Sequence, residues 1–266
     1  MSESLASSSL RSAARLMLMA LWVVLMILPV TLVWALRAER LRSPLVRRFF
    51  SGLTTILSIR CTWNGAPVPE RPLMLVTNHA SYLDIPVLGG QVPLSFTPKS
   101  DIKYWPVIGF FCVLADCVFI ERKPSRLPHA RKEIEKKLQQ GKIICLFPEG
   151  TTNDGNVVKP FKSGFLSIAE REDDKPPLTL QPATLVYTHA NGQVLQPPQR
   201  ADVAWYGDAS FLPHFWRVLG LKSLDVEITF HPAVTIEAFD SRKALGQHCE
   251  QVIGHTLHER IYEGKV

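Results

Sequence analysis

Three patterns of apolar residues divide the chain. The first is an uncharged run of 21 residues from Leu16 to Leu36. As a helix it would extend roughly 32 Å, about the thickness of a bilayer core, and it predicts a transmembrane helix. The second is a pair of short apolar runs, Leu73-Met74-Leu75-Val76 and Ile143-Ile144-Cys145-Leu146, which predict buried strands. The third is apolar spacing at helical period: Leu45, Val46, Phe49, Phe50, Leu53, Ile56 and Leu57, then Ala130, Ile134 and Leu138 within His129 to Gln140, then Leu245, Cys249, Val252, Ile253 and Leu257 within Ser241 to Tyr262. Further strands are predicted over Leu178 to Tyr187, Ala201 to Tyr206 and Leu224 to Phe230. Val107 to Ile120, too short to span and broken by Gly109 and Asp116, predicts a core helix followed by a strand. Together these predict an α/β domain with a mixed central sheet flanked by helices and one N-terminal transmembrane helix. Residues 1–36 form the N-terminal segment and anchor, 37–60 a basic amphipathic juxtamembrane segment, and 61–266 the main domain.

Charge refines the N-terminal reading. Arg11 and Arg15 precede the apolar run, as in a secretory signal, but its core is too long for one and no small-x-small cleavage site follows, so a retained anchor is predicted. Arg37, Arg40, Arg42, Arg47 and Arg48 crowd its C-terminal side, which places the main domain on the cytoplasmic side of the inner membrane, as a single-pass protein. The first 60 residues hold eight arginines against Glu3 and Glu39 and so carry the whole formal +6; the remainder is balanced. A basic cluster beside an apolar span points to an anionic membrane surface as partner and not to nucleic acid. For the helix around Phe49 and Phe50 two readings stand open, one lying on the membrane and one packed on the domain core. The five cysteines lack a Cys-x-x-Cys pair and fit free thiols in a reducing compartment.

Candidate chemistry follows the two apolar runs. After the first comes Asn78-His79-Ala80-Ser81-Tyr82-Leu83-Asp84, an imidazole and a carboxylate five residues apart. In a regular helix they would sit about 140° apart, so a bend must intervene to bring them together. Pro86 suits a helix's first turn, which predicts Asp84 as N-cap and His79 on the loop before it, folded back onto Asp84. A carboxylate on one imidazole nitrogen would fix the tautomer and leave the other as general base; the structural alternative is a cap and a loop histidine. After the second run comes Phe147-Pro148-Glu149-Gly150-Thr151, where Pro148 ends the ladder and Gly150 permits a tight turn at the strand's carboxyl end. Lys159 and Lys162 follow near the same edge, Lys162 being suited to an anionic headgroup.

These motifs resemble the glycerolipid acyltransferase family, of the 1-acylglycerol-3-phosphate acyltransferase type, over roughly residues 72 to 190. His79 and Asp84 match the first block. Phe119-Ile120-Glu121-Arg122 matches the second, with Asp116-Cys117 where a glycine usually precedes it. Phe147 to Thr151 match the third, and Leu180-Gln181-Pro182-Ala183 loosely meets the fourth. The resemblance implies acyl transfer from acyl-CoA or acyl carrier protein to a lysolipid hydroxyl, with Arg122, Glu149, Gly150 and Thr151 binding the acceptor and no cofactor required. Lysophosphatidic acid is the first acceptor implied. Ala204-Trp205-Tyr206-Gly207-Asp208 and Pro213-His214-Phe215-Trp216 look similar to bacterial members acting on lyso-ornithine lipid. A membrane lipid-binding protein with an idle site is the alternative of another class. His248, His255 and His258 lack a third ligand at zinc spacing, and no metal site is predicted.

Overall fold

The computed structural model describes residues 5–105, 108–120, 127–171 and 175–263, excluding the side chains of residues 39, 108, 111, 114 and 127. Two helices lead the chain, α1 (Ser9–Ala35) and α2 (Glu39–Ile56). The domain follows as β1 (Ile59–Asn64), β2 (Leu73–Thr77), α3 (Asp84–Gly89), β3 (Leu94–Phe96), α4 (Ile108–Leu114), α5 (Leu127–Gln139), β4 (Ile143–Leu146), β5 (Thr179–Ala190), β6 (Gln193–Val194), α6 (Pro197–Arg200), α7 (Phe211–Gly220), β7 (Leu224–Phe230) and α8 (Arg242–Tyr262).

The strands form one mixed sheet in the order β1-β7-β5-β2-β4-β3, with β6 on β5. Its parallel centre, β2 between β4 and β5, is buried on both faces, which is why β2 and β4 read as unbroken apolar runs. Alternate residues serve opposite layers. Leu73, Leu75, Ile143 and Cys145 join the core beneath α1, α2, α3 and α7, while Met74, Val76, Ile144 and Leu146 join the core beneath α5 and α8. Each fully buried Leu, Ile or Val contributes about 1.5–3 kcal/mol, so the centre of the sheet is the stiffest platform on which a site can rest.

Ala130, Ile134 and Leu138 face inward on α5, as do Leu245, Cys249, Ile253 and Leu257 on α8. One expectation is corrected, and one of two open readings is chosen. Ala201 to Tyr206 is not a strand: α6 ends at Arg200, a turn follows it over 201–203, and Trp205 spends its backbone N–H on Ala80 O at 2.9 Å. The helix around Phe49 and Phe50 packs on the domain; both rings are buried, and a Cβ at Gly89 of α3 would lie 2.7 Å from the Phe50 ring.

α1 is long and apolar enough to cross a membrane. One side, with Arg15, Met19, Trp22 and Val30, packs against α2 and the domain, and Trp22 Nε1 donates to Phe49 O at 3.0 Å. The other side, with Leu18, Leu21, Leu25, Leu28 and Leu32, is exposed.

Candidate active site

β2 and β4 are parallel neighbours with Val76 opposite Leu146. His79 lies three residues past the first and Glu149 three past the second, so equal offsets carry both to the carboxyl edge of the sheet. The loop after β2 then bends as the spacing requires. His79 Nδ1 meets Asp84 Oδ2 at 2.7 Å.

Asp84 is fully buried, and its position differs from the expected cap. Leu83 is the N-cap of α3 and Asp84 the first helical residue. Its carboxylate turns back to the loop instead, where Oδ2 also accepts from Ala80 N at 2.9 Å and Ser81 N at 3.1 Å. Oδ1 accepts from the Tyr187 hydroxyl at 2.7 Å. Burial, with the adjacent Asp84 charge, pushes the Tyr187 phenol well above its ordinary value, so it remains a donor. Because Oδ2 already accepts two backbone N–H groups, the network assigns the shared ring proton to His79 Nδ1 and leaves the Nε2 lone pair as base. The ring stacks on Phe147, centroids 4.0 Å apart and planes 19° apart, with its side chain 19% exposed. An oriented imidazole with one nitrogen available is what general-base catalysis requires.

Glu149 is buried against the loop that carries His79. The side chain is 1% exposed. Oε1 accepts from the His79 backbone N–H at 2.8 Å, while Oε2 accepts from Asn153 Nδ2 at 2.5 Å and Lys159 N at 2.9 Å. Asn153 N in turn donates to His79 O at 3.2 Å. Glu149 and Asn153 therefore grip both backbone polar groups of His79. Burial raises the Glu149 carboxyl above its ordinary value, while the Lys159, His79 and Asn153 donors pull it back.

Gly150 adopts φ +69°, and a Cβ there would lie 3.0 Å from Lys162 Nζ. This left-handed turn lets the Lys162 amine close over the motif, and Thr151 is exposed beside it. Lys162, Gly150, Thr151 and Glu149 are thus gathered near His79 and Asp84, while Arg122 lies outside the described residues. Cys145, just before Phe147, is no competing nucleophile, since burial and the Asp84 charge push its thiol far above the ordinary range. Sequence reasoning missed Tyr187 and Asn153. Asn153 was detectable in principle, being a buried-type amide four residues after the motif acid; Tyr187 carried no local signal.

The acyltransferase family profile matches residues 60–186. A lyso-ornithine lipid O-acyltransferase from Brucella abortus is 39% identical over 194 residues, covering 71% of this chain and 73% of that protein. One of the same name from Rhizobium meliloti is 32% identical, covering 90% and 83%. A 1-acyl-sn-glycerol-3-phosphate acyltransferase from Neisseria gonorrhoeae is 29% identical, covering 71% of each. The fold matches the crystal structure of the 1-acyl-sn-glycerophosphate acyltransferase PlsC from Thermotoga maritima with a TM-score of 0.67 at 20% identity, over 94% of this chain and 97% of that one. Family profile and relatives converge: the chain belongs to the glycerolipid acyltransferases and is an O-acyltransferase of the 1-acylglycerol-3-phosphate acyltransferase type.

Proposed function

We propose that the chain transfers a fatty acyl group from a thioester, on coenzyme A or acyl carrier protein, to the hydroxyl of a lyso-ornithine lipid. The observation that carries the chemistry is the His79 Nδ1 to Asp84 Oδ2 bond of 2.7 Å, which leaves Nε2 to act. Nε2 takes the hydroxyl proton as the oxygen bonds to the thioester carbonyl carbon. Collapse of the tetrahedral intermediate breaks the C–S bond, and the imidazolium returns the proton to the departing thiolate.

The relatives at 39% and 32% identity favour lyso-ornithine lipid as acceptor. Lysophosphatidic acid is the second reading, favoured by the relatives at 29%. Lys162, over the Gly150 turn, suits the carboxylate of one acceptor or the phosphate of the other. Arg122 and Thr151 complete the acceptor side in this reading. The intact dyad argues against an idle lipid-binding protein. The exposed face of α1 supports attachment to the inner membrane, and the exposed arginines that follow it support contact with an anionic cytoplasmic surface.

Purified protein in lipid vesicles, given labelled acyl carrier protein or acyl-CoA and each lysolipid in turn, tests this. Acylation of lyso-ornithine lipid well above lysophosphatidic acid is expected. The reverse order would make the second reading correct, and no transfer to either would sink both.

A further inference from the structure

α7 is apolar on both faces. Inward, Phe211 and Phe215 stand edge-on to Tyr82 with centroids 5.1 and 6.2 Å away, and His214 Nδ1 meets the Tyr82 hydroxyl at 3.1 Å. Tyr82 is three residues from His79, so α7 backs directly onto the catalytic loop. Outward, Leu212 is 74% exposed and Trp216 40%, and among the described residues no element covers them. Arg217 pairs with Asp202 at 2.7 Å on the same exposed side, and the uncovered Leu and Trp beside it mark an interaction surface.

α7 is bonded to α1. Ser12 Oγ donates to Trp216 O at 2.8 Å, Arg11 Nη1 to Gly220 O at 2.8 Å, and Arg15 Nη1 to Leu219 O and Leu221 O at 3.2 and 2.5 Å. Charge-assisted donors on several carbonyls fix α7 to the N-terminal end of α1. At the other end, Arg42, just past the turn from α1 into α2, donates to Val113 O at 3.3 Å and brings α4 alongside. The turn before α4 carries Tyr104, 82% exposed, and adjoining Trp105 meets Phe211 at 5.8 Å. Exposed apolar side chains thus continue from α1 onto α7 and the α4 region, with Lys103 and Lys222 exposed at the margin.

We propose that the outer face of α7 and Tyr104, with Phe110 and Val113 of α4, contact the lipid bilayer alongside α1, bringing the catalytic loop behind Tyr82 to headgroup level. This rests on the reading that α1 is held in the membrane. Interfacial helices carry Trp and Leu toward lipid with cations at the rim, as α7 does. The full chain in phosphatidylethanolamine and phosphatidylglycerol vesicles containing a diazirine-bearing phospholipid is irradiated, digested and mapped for lipid adducts. Adducts are expected on Leu212 and Trp216 at a yield of the same order as on Leu21, Leu25 and Leu28 of α1. Adducts on α1 with none on Leu212, Trp216 or Tyr104 would overturn the proposal alone. Bare α1 as well would overturn the membrane reading with it. Cross-links from α7 to a second copy of the chain would make that face a protein interface and also overturn it.

Discussion

The backbone N–H of His79 donates to Glu149 Oε1 at 2.8 Å, so the acid of one loop holds the main chain that carries the imidazole of another. Gln at 149 would place an NH2 against Asn153 Nδ2 and Lys159 N, or against His79 N, setting donor against donor. Glu149→Gln is therefore expected to lower kcat by at least about tenfold while leaving the acceptor KM close to wild type, the pattern of a lost positioning group. Kinetics with each substrate varied separately check it. A rise confined to the acceptor KM would return Glu149 to the acceptor site.

The same carboxyl has a pH signature. Burial raises it above the ordinary value of about 4.3. Folding then favours its protonated form, so its contribution to stability is fully present below the unfolded value and is lost as pH rises through the raised native value. Glu149→Gln does not titrate. Denaturant unfolding of both proteins from about pH 4 to neutrality should show wild type losing ground to the variant across that window. If wild type gains ground instead, the N–H donors outweigh burial.

His79→Ala should reduce transfer by about 100-fold or more with the fold intact, as the loss of a general base does. Asp84→Asn should cost nearly as much in rate. It should also unfold more easily, because its amide would face Ala80 N, Ser81 N or the Tyr187 hydroxyl at close range. Circular dichroism and single-turnover assays separate the two effects. A His79→Ala enzyme retaining a tenth of wild-type rate would refute the base assignment.

The parts of the fold that were legible in the sequence are those whose signal is local. β2 and β4 are buried on both faces and so wrote unbroken apolar runs, and α5 and α8 bury one stripe each. His79 and Asp84 were legible because the turn joining them is five residues long. β1 was not, because it pairs through backbone with β7 while showing Arg60 and Thr62 outward. Val203 and Ala204 are buried without joining a ladder, so their apolar character imitated a strand. Tyr187 reaches Asp84 across 103 residues of sequence, a relationship that only the β2 and β5 pairing creates.

That long-range contact is itself testable. Tyr187→Phe removes one donor from a fully buried carboxylate and should cost about 1–3 kcal/mol of stability. Because three donors still hold Oδ2, the rate should fall far less than in Asp84→Asn. A Tyr187→Phe enzyme as slow as Asp84→Asn would show that Oδ1, and not Oδ2, sets the orientation of the dyad.

The arginines after α1 divide into two roles. Arg42 is 14% exposed, pairs with Asp116 at 3.4 Å and donates to Val113 O, tying α2 to α4. Arg37, Arg40, Arg47 and Arg48 are exposed. An exposed cation near an anionic surface contributes about 1 kcal/mol at most and is screened by salt, whereas removing a partner of Asp116 loosens a packed contact. Replacing Arg47 and Arg48 by Ala should therefore weaken salt-sensitive binding to anionic vesicles without moving Tm. Arg42→Ala should lower Tm and leave the salt dependence of binding nearly unchanged. Thermal unfolding in detergent and vesicle flotation across a salt series give both readouts on the same proteins. If Arg42→Ala instead matched the double variant in flotation and kept wild-type Tm, Arg42 would belong with the lipid-facing set and its bond to Asp116 would not hold α2 in place.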